Sequence, residues 1–168
     1  MVHDWVFANL NRLKNNSSAI LIVAIITLVV VAAGLLIVPM FQPSTNLRLG
    51  DGVFAAHIAS TPDTREQGLS GETSLDSSQA LILAFPSDGQ CQIWMKGMKI
   101  PIDIVWLNKD KRVVYMIENA SPKDPTKVMF PPRVAARYVI ELTAGTVQAK
   151  NIEVGRLGEF DVKLETVK

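Results

Sequence analysis

Five residues between positions 94 and 141 carry side chains that could do chemistry together: Trp94, Lys96, Asp103, Arg137 and Glu141. Asp103 stands out because it lies in "IDIVWLN", a segment apolar on both faces, just after Pro101. An ionised carboxylate there costs several kcal/mol unless it is paired and hydrogen-bonded. Lys96, Lys99, Arg133 and Arg137 are candidate partners, and Arg137 is favoured because its planar fork can hold a carboxylate through two bonds. An Asp103–Arg137 pair would either fix the register of two strands or line a cleft and meet a polar ligand. Glu141 falls four positions beyond Arg137 on the same strand face. With Asp103 it makes the two-carboxylate set that acid–base hydrolysis of a glycoside requires. Trp94 offers a platform on which a ring could stack, whereas Trp106 reads as core.

A soft-metal set is a further option. Cys91, Met95 and Met98 are spaced C-x3-M-x2-M, and His57 could converge on them to hold Cu(I). The competing use of these methionines is ordinary core filling. The motifs G-x-S-x-G, H-E-x-x-H, G-x-G-x-x-G and the Walker loop are all missing, so no cofactor is called for. Cys91 is the sole cysteine, so no intramolecular disulfide can form.

These side chains sit on a succession of short strands. "TNLRLG" and "VFAAHIAS" flank Asp51-Gly52, a hairpin signal. "TPDTREQG" predicts a short helix with Thr61 as cap, Pro62 first, Asp63 in the first turn and Gly68 as stop. "ALILAF" (80–85) is a buried strand, Pro86 to Gly89 a turn, and Cys91 to Met95 another strand. "IDIVWLN" and "RVVYMIE" flank "KDK" as a second hairpin. Four prolines between Asn119 and Arg133 predict a long loop, of the kind that serves as a lid. "ARYVIELTAG" alternates, with Tyr138, Ile140 and Leu142 on one face and Arg137, Val139, Glu141 and Thr143 on the other. "TVQAKNI" is a turn or two of helix, and "GRLGEFDVKLE" a closing strand. The fold class expected is mainly β with one or two short helices, a compact barrel-like or strongly curved antiparallel sheet.

Ahead of this domain (47–168) comes a different kind of sequence. Residues 19–38, "AILIVAIITLVVVAAGLLIV", have no charge and match the roughly twenty residues a helix needs to cross a bilayer. The run is longer than a signal-peptide core and meets no small-x-small site. A single transmembrane helix is therefore expected, with a short tail (1–18) before it and a proline-containing linker (39–46) after it. Arg12 and Lys14 precede the span and Arg48 follows it, which favours a cytoplasmic N-terminus and an extracytoplasmic domain. Val2, Trp5, Val6, Leu10 and Leu13 have the spacing of an interfacial helix. Residues 41 to 168 hold 15 Lys/Arg against 15 Asp/Glu, so no net field attracts nucleic acid.

The order "TREQGLSG", "ILAFP", "IWMKGMKIPIDIVWLNKDKRVV", "AARYVIELTAGTVQAKNIEVG" resembles the domain of unknown function 192 family from about Val53 to Gly155. The most specific block is Trp94-Met95-Lys96 followed by Pro101 and Asp103. The next is Ala136-Arg137-Tyr138 followed by Glu141 and Gly145. The resemblance implies a compact β-rich fold in a small secreted or membrane-anchored prokaryotic protein, and it brings no established activity. Ser70-Gly71-Glu72, Ala80-Leu81-Ile82-Leu83 and Gly97 depart from the family's usual residues.

The function expected is that of a membrane-anchored extracytoplasmic binding or accessory module, with Trp94, Lys96, Asp103, Arg137 and Glu141 as ligand-binding candidates. Its partner would be an envelope ligand or envelope protein. The alternatives are a carbohydrate-active hydrolase using Asp103 and Glu141, and a structural domain that docks to an envelope protein.

Overall fold

Strand β1 (Ser44–Leu49) turns through Gly50 and Asp51 into the antiparallel β2 (Gly52–Ala59), with Leu49 opposite Gly52. The turn is thus one residue earlier than Asp51-Gly52. Gly50 supplies its positive φ of 58°, and a Cβ there would stand 2.2 Å from the Lys150 carbonyl oxygen. Strand formation from Ser44 also takes in the end of the expected linker.

This computed structural model describes residues 21–22, 24–27, 44–123, 129–130, 134–163 and 167–168. The chain divides into two units, 1–41 and 42–168. In the first, residues 21–22 and 24–27 are helical, and Leu21, Ile22, Ile25 and Ile26 are exposed. The interfacial tail around Trp5 and most of the 19–38 span lie outside the described residues. Among the described residues no helix is long and apolar enough to cross a membrane.

In the second unit the elements after β2 are α1 (Pro62–Gln67), β3 (Gln79–Gly89), β4 (Ile93–Trp94), β5 (Ile102–Leu107), β6 (Val113–Ala120), β7 (Met129–Phe130), β8 (Ala136–Thr143) and α2 (Thr146–Ala149). Six strands form one sheet in the order β1-β2-β3-β8-β5-β6. It is mainly β, as expected, but neither closed nor wholly antiparallel. The chain crosses over through α1, so β2 and β3 run parallel. Edges β1 and β6 do not pair with each other. The C-terminal segment bonds to both of them: Arg48 exchanges two backbone bonds with Glu159, and Val113 two with Arg156 and Gly155. The described part of "GRLGEFDVKLE", residues 155–163, is therefore a bridging segment rather than a strand. β3 also runs through Pro86 to Gly89, where a turn is expected.

The cap of α1 follows the sequence. Thr61 and Thr64 form a capping box, and Gly68 ends the helix with φ 50°. The two hairpins differ from the proline-rich loop in what local pattern reveals. That loop contains β7, which pairs Met129 with Trp94 and Phe130 with Ile93, a partnership fixed by a distant strand.

Side-chain alternation along the central strands gives the sheet two apolar faces. Leu47, Phe54, Ile82, Val105, Leu107, Tyr138, Ile140 and Leu142 pack on one. Leu69, Leu81, Leu83, Cys91, Ile93, Met95, Ile102, Ile104, Trp106 and Val139 pack on the other. Strand β5 is accordingly buried at every position, which explains its lack of polar alternation. Trp106 is fully buried, donates from Nε1 to the Cys91 carbonyl at 2.7 Å and tilts against Tyr115.

Candidate functional site

Register decides which candidate residues can meet. Asp103 lies opposite Leu142, and Ile104 opposite Glu141, on the adjacent strands β5 and β8. Asp103 therefore belongs to the Val105–Ile140–Leu142 face, and Glu141 to the Ile104–Val139 face. One carboxylate is on each side of the sheet, so the glycosidase pair of Asp103 and Glu141 is ruled out. The Asp103–Arg137 pair fails as well. Arg137 is five positions along β8 from Leu142, about 17 Å at the usual strand rise, and on the opposite face. Arg137 instead donates from Nε to Asp88 at 2.7 Å.

Asp103 is fully buried, and backbone amides satisfy it. Its Oδ1 accepts from the Asn119 N–H at 2.8 Å and its Oδ2 from the Val147 N–H at 2.7 Å. It ties the end of β6 and the start of α2 to β5, and it is not available to a ligand. Arg133, another expected partner, lies outside the described residues.

Glu141 has the opposite character. The residue is 4 % exposed, and its Oε2 is buried with no hydrogen-bond partner among the described residues. Its neighbours across the sheet are Leu81 of β3 and Ile104 of β5, neither of which can donate. Burial pushes its carboxyl up to about 7. Leaving a buried polar atom unpaired is costly, and such groups call for an explanation.

The explanation lies in the space beside it. Glu141 lines a cavity of about 330 Å³ whose walls are Leu69, Leu83, Phe85, Ile93, Trp94 and Met98. Arg65, Glu66, Gln67 and Ser70, from α1 and the segment after it, complete one side. Gly68 packs beside the carboxylate: a Cβ there would sit 3.7 Å from Oε2 and 3.8 Å from Oε1. An open groove adjoins the cavity at Trp94 and is lined by Asp63, Glu66, Gln67, Ser70, Trp94, Lys96 and Gly97. Trp94 is 38 % exposed, with the Lys96 ammonium 5.6 Å from its ring centroid. Ser70 Oγ donates to the Lys96 carbonyl, and the Gly71 N–H to that of Gly97, which joins the two walls.

Of the five candidates, then, Trp94, Lys96 and Glu141 come together, and Asp103 and Arg137 do not. The residues that sequence reasoning missed are Arg65, Phe85, Leu69 and the turn at Gly68. "TREQGLSG" was the available signal, since its glycine stop brings α1 back over β8. Arg65 is held rather than free: it donates to the carbonyls of Ser60, Ala84 and Lys168, and its guanidinium lies 4.9 Å from the Phe85 ring centroid.

The soft-metal set does not converge. Cys91 Sγ donates to the Ala136 carbonyl. His57, exposed on β2, is two strands and five rungs away, about 19 Å by strand spacing. Met95 is buried, while Met98 lines the cavity. Among the described residues no three His, Cys, Asp or Glu are grouped as a metal would need. Burial pushes the Cys91 thiol up to about 11. The folded chain at pH 8 should therefore react with a disulfide reagent many times more slowly than the urea-unfolded chain. Equal rates would mean that Cys91 is accessible.

Residues 45–159 match the sequence profile of DUF192, described as Uncharacterized ACR. The chain belongs to the DUF192 family. No curated protein matches it. Two solved structures share the fold, each at 24% identity. One is a Sinorhizobium meliloti 1021 protein provisionally named a transcription regulator, with a TM-score of 0.66 over 71% of this chain and 95% of that one. The other is a protein of unknown function from Novosphingobium aromaticivorans DSM 12444, with a TM-score of 0.64 over 72% of this chain and 89% of that one. At this identity the likeness concerns the fold alone. The departures from the family pattern at Ser70 and Gly97 fall on the groove beside Trp94.

Proposed function

We propose that this DUF192 protein is a small-molecule binding module, held at the membrane by residues 19–38 with its β domain on the extracytoplasmic side. The observation that carries the binding reading is Glu141: an unpartnered carboxylate, buried at the side of an apolar cavity that adjoins an open groove at Trp94. An apolar pocket with few convergent polar groups and one perturbed carboxyl is the usual form of a ligand site. The uncharged 19–38 run and the Arg12/Lys14 pair ahead of it support the anchoring.

The test is a fragment screen on the full-length chain in detergent, read by tryptophan fluorescence and compared with Trp94→Phe. A saturable ligand whose signal disappears in Trp94→Phe and whose affinity falls in Glu141→Gln supports the reading. A broad library without a single saturable binder contradicts it. For the anchoring, the chain should stay in carbonate-washed membranes, and protease added to spheroplasts should digest the β domain. Release into the soluble fraction would exclude the anchor.

A further inference from the structure

The chemistry around Glu141 narrows what the cavity can hold. A purely apolar occupant would leave the buried carboxylate without a donor, so the cost of about 1–3 kcal/mol for an unmade bond would stay. A carboxylate or phosphate would meet two carboxylates, Glu141 and Glu66, against the single cation Arg65. A sugar would bring several hydroxyls to a lining that is mostly apolar, with Gln67, Ser70 and Gln92 as its neutral polar side chains. An ammonium on an apolar body suits this lining better: it donates to the carboxylate while its body meets the apolar walls, the Trp94 and Phe85 rings being already engaged by Lys96 and Arg65. Arg65 competes weakly, because three carbonyl oxygens and the Phe85 ring already engage its guanidinium.

We infer that the cavity takes an organic cation, a primary or secondary amine carried on an apolar ring or short chain, with its N–H donated to Glu141. This rests on the binding reading above and names its ligand class. The charged groups that face the carboxylate's cavity are Arg65 and Glu66 of α1, with Lys96 beyond Trp94. From the sheet, Leu81 and Ile104 are its flanking residues, and His57 is the next titratable side chain along that row.

An ammonium needs the ionised carboxylate, so binding displaces the Glu141 proton. With that carboxyl at about 7, the competent fraction rises from a few per cent at pH 5.5 to nearly all at pH 8. Affinity should rise about 30-fold over that interval.

The experiment is calorimetric titration of the full-length chain in detergent with benzylamine, benzyl alcohol and benzoate at pH 5.5 and 8. Benzylamine should bind with Trp94 fluorescence change, about 30-fold tighter at pH 8, and at least tenfold more weakly to Glu141→Gln. Benzoate should not bind. If Glu141→Gln fails to fold, the pH dependence of the wild type still decides. Benzyl alcohol binding as tightly as benzylamine at both pH values would overturn the amine assignment and leave the binding reading standing. Failure of these probes together with the fragment library would overturn both.

Discussion

Asp103→Ala will destabilise the chain by about 3–5 kcal/mol, because it empties a fully buried carboxylate position and strands the buried Val147 N–H as well as breaking the bond from Asn119. Asn119 and Val147 donate to the two oxygens of this one fully buried side chain. Hydrogen bonds to a charged group are worth about 1.5–3 kcal/mol each, and the Val147 N–H, inside the core, has no water to turn to. For a domain of this size the thermal midpoint should fall by roughly 10–20 °C. Asp103→Asn keeps the shape but presents an amide N–H to one of the two donors, so it should lose about half as much. Neither change should alter affinity at the Glu141 cavity by more than about twofold, measured where the variants remain folded, since the two side chains lie on opposite faces of the sheet. A normal melting temperature for Asp103→Ala would show that the two amides are satisfied in some other way.

Glu141 gives the opposite result. Its carboxyl is held at about 7 in the folded chain against an ordinary 4.5, so the folded state keeps the proton longer than the unfolded state does. Below about pH 4.5 both states are protonated and nothing is lost. Between pH 4.5 and about 7 the unfolded chain ionises first and stability falls. Above about 7 the loss is complete, at about 3 kcal/mol. Glu141→Met fills similar volume with an apolar chain. It should raise stability at pH 8 by about 2–3 kcal/mol, leave it nearly unchanged at pH 4, and abolish amine binding. Urea unfolding of both proteins at the two pH values reads this directly. Stability given up at one buried residue is what a site selected for binding exhibits. Equal stabilities of wild type and variant at pH 8 would mean that the carboxylate is satisfied.

These two residues also mark what the sequence discloses. Alternation in "ARYVIELTAG" puts Glu141 and Arg137 on one face, and "IDIVWLN" declares itself buried, because both properties are local. The relation between the two strands is not local. Only the register of Asp103 against Leu142 reveals that the carboxylates face opposite ways, and a slip of one residue would have reversed the answer. For the same reason Trp94 and Glu141 are recognisable by type, while Leu69 and Phe85 are not. Their role comes from α1 folding back at Gly68 and from β3 lying beside β8. The parallel β2–β3 pair and β7 within the proline-rich loop were equally hidden, since each depends on a partner far along the chain. The N-cap at Thr61 and the "KDK" hairpin were visible because everything that makes them lies within a few residues.

The central claim is that Glu141 is a buried carboxylate without a partner, kept for a ligand. Carbon-13 labelling of the glutamate carboxyls, with Glu141→Gln to assign the resonance, would follow its titration in the full-length chain. The account predicts a midpoint near 7 in the free protein, displaced downward when benzylamine binds. A midpoint near the ordinary 4.5, unmoved by the amine, would contradict it.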